Sequence, residues 1–398
     1  MGDLFGAFKR RAEANAQRVV ETCISEVADF QAIESTVRAS MLDFAVVMRR
    51  RSADLVAADE PLLESDLDHL ESVGEERGTQ GISLACQRHL LAVHARLTLR
   101  EIYEAAGPDD LNDTMRVLGW LARQGVRAQT AYTRGFFRGH ERFLSVATRA
   151  QLLATMILHD DPMAAELGRS LGMPVTEHYL ATVIRVAVDQ LPPLSESRRQ
   201  KILPTLLEQY RLPLTWQEPG ELVALVPCRS LDPHHATAAE STGLALSRDV
   251  AEIVGRPCSV GSAHGHRRSL AHSVVLARKV SQVAPIERVP RRPYSVADVF
   301  AELGAVQTPQ VDHWLREIAQ RLSSGPDLVI TLDAYYCNDM NRLRTATSLH
   351  IHPRTLDYRL RRTRDLVGIE PSSTRGVRVL STAVTRMLAG AWDDPVAR

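Results

Sequence analysis

Apolar residues recur at helical spacing along the first 160 positions. From Gly81 to Ala106, Cys86, Leu90, Val93 and Leu97 fall at i, i+4, i+7 and i+11, which lays one apolar stripe along one helix face. A second long helical pattern runs from Asp110 to His159, with Arg116, Arg123, Arg127 and Arg134 set between apolar positions. Glycine is sparse in this region, and Pro61 and Pro108 each stand where a new segment begins, as proline does at helix starts. The pattern predicts a bundle of about five helices. Near Pro174 the period changes. Tyr179–Val188 (YLATVIRVAV) is rich in β-branched residues and reads as a strand, and Glu221–Val226 as a second strand after the turn signal Pro219-Gly220. Ser195–Tyr210 reads as a helix blemished by Pro204, Ala236–Val254 as a helix, Cys258–Ala263 as a short strand and Arg268–Val283 as a helix. Strands alternating with helices predict a small α/β or α+β domain. Residues 284–295 hold three prolines and read as a linker, and from Val296 to about Leu388 the chain is helical again.

The expected architecture is mainly α and multidomain. Residues 1–165 are expected as a helical bundle, 172–285 as a central α/β domain, 286–324 as a linker with helices, and 325–398 as a C-terminal helical domain. The 398 residues are 44% apolar, enough for buried cores, which excludes a disordered chain. Lys+Arg and Asp+Glu are 48 each, so a globally basic coat protein is excluded while a local basic patch is not. The five cysteines lie far apart, with no C-x-x-C pair, which disfavours a disulfide framework and a zinc ribbon. The start MGDLFGAFKR lacks a signal-peptide pattern, and no apolar run is long enough to span a bilayer. The expectation is a soluble cytoplasmic protein associated with the nucleoid, with no membrane contact.

Asn341–Ile369 (NRLRTATSLHIHPRTLDYRLRRTRDLVGI) is the most informative segment. Arg342–Leu349 reads as a short helix and 350–352 as a turn. Pro353 stands at the first position of the next helix, where its missing N–H costs nothing, and Gly368 stands where a left-handed cap residue is wanted. Small Ala346 suits a close helix crossing. Leu356, Leu360, Thr363 and Val367 share one inward face, and Leu349 and Ile351 complete the expected core. The opposite face carries Arg354, Asp357, Tyr358 and Arg361. In a helix-turn-helix the start of the second helix meets base edges in the major groove. Arg354 is the candidate for bidentate reading of guanine, and Thr355 and Tyr358 are candidates for base or phosphate contact. Asp357 is expected either to pair with Arg361 or to accept from a cytosine amino group. Arg344, His352, Arg359, Arg361, Arg362 and Arg364 are the candidate phosphate contacts. Between Asn341 and Arg378 there are nine arginines against three acids, a local excess of six on a neutral chain.

Thr345-Ala346, Leu349-His350-Ile351-His352, Arg354-Thr355-Leu356 and Tyr358-Arg359-Leu360 resemble the C-terminal helix-turn-helix of PucR/CdaR-type bacterial transcriptional regulators. There are departures from that pattern. Arg354 replaces a usual Asn, Arg342 stands where an apolar residue is usual, and Asp357 is acidic on the groove-facing side. Such regulators often carry a degenerate GGDEF-like domain, and Glu218-Pro219-Gly220-Glu221-Leu222 stands where an active cyclase would show G-G-D-E-F. With Pro219 breaking the glycine pair and one acid after Gly220, the carboxylates that would hold cations against phosphates are reduced, so no cyclase activity is expected. Gly81-Ile82 followed by the Leu84–Leu97 helix resembles the RsbR-type helical sensory domain. The resemblance implies a non-enzymatic regulator, acting as a dimer on a palindromic duplex operator and modulated by a small-molecule or protein effector. A scaffold regulator of stress signalling, with a vestigial helix-turn-helix, is the alternative.

Other constellations are weaker. His264, His266 and His272 form H-x-H-x5-H after His234-His235, but no Cys, Asp or Glu falls between 258 and 280 to complete a metal site, so these read as surface or turn histidines. His89 and His94 lie on the apolar helix and read as packed or snorkelling side chains rather than haem ligands. No cofactor and no metal is expected.

Overall fold

The computed structural model describes residues 4–26, 35–80, 82, 84–140, 145–187, 194–218, 220–228 and 233–392. The chain divides into two compact units, Met1–Ser145 and Val146–Arg398. Most of it is helical, with one small antiparallel sheet in the second unit.

The first unit holds five helices among its described residues: α1 (Leu4–Glu26), α2 (Ser35–Ala58), α3 (Glu64–Thr79), α4 (Leu84–Ala105) and α5 (Leu111–His140). Leu4, Leu55, Ile102, Val117 and Trp120 bury one shared core, and the Trp120 indole N–H donates to the Glu60 carbonyl at 2.7 Å. The stripe on α4 turns inward as expected: Val93 and Leu97 are buried, Cys86 and Leu90 half-buried. Arg49 and Glu101 form a buried ion pair at 2.9 Å between α2 and α4. The tightest contact is between α3 and α5. Gly74 and Gly78 on α3 face Gly135 and Gly139 on α5. A Cβ at any of the four would lie 1.8–2.3 Å from a backbone oxygen of the other helix. Glycine is required because the two backbones touch, a geometry that also favours Cα–H to carbonyl contacts. Glu71 and Glu75 pair with Arg134 and Arg138 beside the crossing.

The second unit begins with α6 (Val146–Leu158) and α7 (Ala164–Ser170). The pattern that ran from Asp110 to His159 is therefore two helices, α5 and α6, placed in different units. The helix α6 (VATRAQLLATMIL) buries Ala150, Leu153, Ala154, Met156 and Ile157 and packs them against β2 and α8 of the second unit.

The sheet follows: β1 (His178–Val186), α8 (Glu196–Tyr210), β2 (Leu214–Glu218), β3 (Glu221–Cys228), α9 (Pro233–Val254), β4 (Cys258–His266) and α10 (Leu270–Val283). The strand order β2-β3-β1-β4, all antiparallel, gives the split β-α-β-β-α-β arrangement, so the domain is α+β. Successive residues of β1 face opposite sides. Thr182 meets Gly243 of α9, while Val183 pairs with Gly261, whose backbone packs on Ala277 of α10. Both faces are thus covered, which explains why β1 is an almost unbroken apolar run. The short β2 (LTWQE) forms the edge of the sheet opposite β4.

Residues 284–295 are not a free linker. Cys258 and Glu287 exchange backbone hydrogen bonds at 2.9 Å, and Tyr294 bonds with Val260 and Ser262, so the segment lies along the outer edge of β4. Ile286 N–H donates to the Leu388 carbonyl at 2.9 Å. Arg291 joins Glu287 to Asp333, the latter at 3.0 Å. Prolines mark absent donors, but the residues between them still have donors, and the sheet uses those.

The remaining helices are α11 (Val296–Val306), α12 (Pro309–Ser323), α13 (Leu328–Cys337), α14 (Arg342–Ser348), α15 (Pro353–Val367) and α16 (Thr374–Leu388). They enclose one core that includes Leu315, Leu322, Leu332, Tyr335, Leu356 and Leu380. Arg386, nearly buried, bonds Asp312 at 2.7 Å and stacks over Trp392, whose N–H donates to the same Asp312 at 3.0 Å. Glu302 is buried beside Thr382, Thr385 and Arg386, and burial holds its carboxyl above the usual carboxylate range. A carboxyl raised in the fold binds its proton more tightly folded than unfolded, so ionisation subtracts stability as pH rises past the ordinary glutamate range. Glu302→Gln is therefore expected to raise the melting temperature at pH 8 and to lose that advantage at pH 4. A thermal-melt series over this range checks it, and equal effects at both pH values would show that burial does not govern this carboxyl.

Candidate nucleic-acid interface

Each end of the recognition segment is fixed by a local rule. Asn341 caps α14, its Oδ1 accepting from Arg344 N–H at 3.0 Å. The Thr345 and Thr363 hydroxyls are buried and donate back to carbonyls four residues earlier, at Asn341 and Arg359. The turn is made by His350, at a φ of 55°, and by Ile351, whose N–H donates to the Ala346 carbonyl at 3.0 Å. His352 is the extended N-cap of α15, with Nδ1 accepting from Arg354 N–H at 3.2 Å, and Pro353 takes the first helical position. Gly368 ends the helix at a φ of 70°, and its N–H donates to the Arg364 carbonyl at 2.8 Å.

Packing then sets which face is free. Leu356, Leu360, Thr363 and Val367 are buried on one side of α15. Ala346 is buried on α14, Ile351 packs against the same core, and Leu349 is half-buried. The opposite face of α15 is exposed at Arg354, Thr355, Tyr358, Arg361 and Arg362. His352 and Arg344 are exposed at the adjoining turn and on α14. Arg364 is exposed near the far end, 3.7 Å from both Asp365 and Glu370.

Two side chains are placed differently from expectation. Arg359 turns toward the protein: it bonds Asp327 at 2.6 Å and the Thr331 hydroxyl at 3.1 Å, tying α15 to α13 away from the free face. Asp357 pairs not with Arg361 but with Arg342 of α14, at 3.3 Å, while Arg361 Nε reaches the Asp357 backbone carbonyl at 3.4 Å. At the start of α16, Arg375 and Arg378 are also exposed. Both belong to the arginine excess of the segment, but a charge excess in the sequence does not say which arginines share a face.

The hairpin of β2 and β3 in the central domain sets Glu218 opposite Glu221; Pro219 lies outside the described residues. Glu221 is buried and its carboxylate is occupied by Arg278, at 2.8 and 3.0 Å. Arg278 also bonds Gln217. The acid that follows Gly220 is thus already neutralised within the protein. His264 stands 3.9 Å from the Cys228 sulfur and 3.7 Å from Glu240, and His266 caps the turn before α10. The side chains of His234 and His235 lie outside the described residues. Among the described residues no cluster of His, Cys, Asp and Glu is arranged to hold a metal ion. No helix among them is long and apolar enough to cross a membrane.

Comparison with known proteins agrees with this geometry. Residues 328–385 match the PucR C-terminal helix-turn-helix domain. Uncharacterized proteins of Mycobacterium tuberculosis and Mycobacterium bovis are 40% identical to this chain over 62 residues, 16% of its length. The chain spans about 15% of the length of these curated relatives. A solved regulator of polyketide synthase expression from Bifidobacterium adolescentis aligns with 61% of this chain and 94% of its own. It does so at 18% identity and a TM-score of 0.25. Sequence, caps, core and exposed face agree over the same span, and residues 328–385 of this chain are similar to the PucR C-terminal helix-turn-helix domain.

Proposed function

We propose that this protein is a sequence-specific DNA-binding transcriptional regulator that acts as a homodimer. The observation that carries the reading is the free face of α15, which presents Arg354, Thr355, Tyr358, Arg361 and Arg362 opposite a fully packed core stripe. Arg354 reads a guanine edge, Thr355, Asp357 and Tyr358 complete the base contacts, and Arg344, His352, Arg361, Arg362 and Arg364 hold phosphates. Arg359 works from behind the face, as a tie between helices.

A second copy is supported by α5. Leu111, Met115 and Val126 are exposed there on the side away from Val117, Trp120 and Gln124, so the helix carries apolar residues on two opposed faces. Two recognition helices would then sit about 34–36 Å apart, or a multiple of that, on a palindromic site. The first unit and the α+β domain, which is read as GGDEF-like without cyclase activity because Arg278 occupies Glu221, are the places where a small-molecule or protein effector acts. An effector that binds one arrangement better shifts the fraction competent for DNA.

The test is selection of bound sequences from random duplex DNA with the full-length protein at two salt concentrations. A palindromic motif whose affinity falls with salt is the expected result. Weak binding with no enriched motif would remove the reading. Within that motif, Arg354→Ala is expected to cost about 1–3 kcal/mol and to relax one base position. Uniform weakening over all sequences would make Arg354 a phosphate contact instead.

A further inference from the structure

Two residues that depart from the family pattern meet in space. Arg342, the first residue of α14, places Nη1 3.3 Å from Oδ1 of Asp357 on α15. Both side chains are well exposed, at 60% and 45%. An ion pair this open to water contributes little to folding, so stability does not account for it. Its surroundings suggest another role. Asp357 follows Arg354 by three residues and precedes Tyr358, at the flank of the free face. A bare carboxylate here would repel the phosphates that the surrounding arginines attract. The nearest alternative cation on the same helix, Arg361, uses its Nε on the Asp357 backbone carbonyl, which leaves the carboxylate to Arg342.

We infer that Arg342 and Asp357 form a two-residue reading element, in which Asp357 accepts a hydrogen bond from the exocyclic amino group of a cytosine and Arg342 is its positioning residue. One carboxylate oxygen is held by Arg342 and the second is left for the base. A carboxylate accepts from the cytosine amino group, whereas guanine and thymine present acceptors at the corresponding major-groove edge and would oppose it, and adenine sets its amino donor beside the N7 acceptor, which the same carboxylate repels. The arginine cancels the charge that would otherwise weaken binding to every sequence, so Asp357 contributes selectivity without a general loss of affinity. This inference rests on the DNA-binding reading proposed above.

The experiment is the same selection, run with full-length wild type, Asp357→Asn, Arg342→Ala, Arg342→Lys and the double variant Asp357→Asn/Arg342→Ala. Circular dichroism establishes that each is folded. Wild type is expected to show one position per half-site with about tenfold preference for cytosine. Asp357→Asn and Arg342→Ala each lose the preference at that same position, the double variant loses no more, and Arg342→Lys keeps part of it. Two results overturn the inference while leaving the DNA-binding reading intact. In one, Arg342→Ala lowers affinity equally for all sequences and reduces the salt slope by about one, which makes Arg342 a phosphate contact. In the other, Asp357→Asn tightens binding to all sequences with an unchanged motif, which makes Asp357 only a brake. No motif for wild type removes the DNA-binding reading itself, and this element with it.

Discussion

Leu356→Ala is expected to destabilise the second unit by about 2–5 kcal/mol and to abolish operator binding. Leu356 is fully buried and sits where α15 meets the shared core of Leu315, Leu322 and Leu332. Truncation removes its transfer energy and leaves a cavity, because helices pinned by the Asn341 and His352 caps and by the Arg359–Asp327 pair have little freedom to close in. The lost anchor also frees the roll of α15, so Arg354 and Tyr358 lose a fixed direction. In a melt of the full chain, the transition of the second unit should fall by roughly 10 °C while that of the first is unmoved. An unchanged profile would show that Leu356 does not hold the recognition helix.

Gly135→Ala is expected to destabilise the first unit by about 3 kcal/mol, against the direction of helix propensity. Alanine in a helix interior normally gains up to about 1 kcal/mol over glycine. At Gly135, though, the new methyl carbon would lie 1.8 Å from the Glu71 carbonyl oxygen, on a backbone that has no side chain to move aside. The two helices must separate, which unpacks Tyr132 and Phe136. Gly125 on the same helix is the control: no atom lies within 4 Å of its would-be Cβ, so Gly125→Ala should stabilise by about 0.5–1 kcal/mol. Opposite signs in denaturant titrations of the two variants are the expected result. The same sign at both would mean that α3 and α5 do not touch at their backbones.

The helix-turn-helix was legible in the sequence because its signals are local. Asn341, Pro353 and Gly368 each satisfy a backbone group or a φ angle within a few residues, and Leu356 to Val367 repeats at one period. Long-range features were not legible. Arg359 and Arg361 are alike in the sequence, and only the position of Asp327 on another helix decides that one turns inward and the other outward. The four glycines of α3 and α5 lie some sixty residues apart in two groups, and nothing in either group announces the other. The extent of β2 was not legible because five residues, two of them exposed, show too short an alternation to set its bounds. In the segment 284–295 the prolines suggest a break in structure, although Glu287 between them and Tyr294 just after them are free to pair.

That pairing has a practical consequence. β4 is the last strand of the sheet, and an unpaired strand edge is a template for aggregation. The chain protects this edge with its own residues 287–294, while the other edge is the short β2, interrupted by an irregularity between Trp216 and Glu218. A fragment cut at residue 284, where the sequence invites a domain boundary, would expose the β4 edge and self-associate. A fragment that ends after Ser295 would keep it covered and stay monodisperse. The useful boundary for isolating the α+β domain therefore lies beyond the proline-rich segment, because those twelve residues complete the sheet rather than leave it.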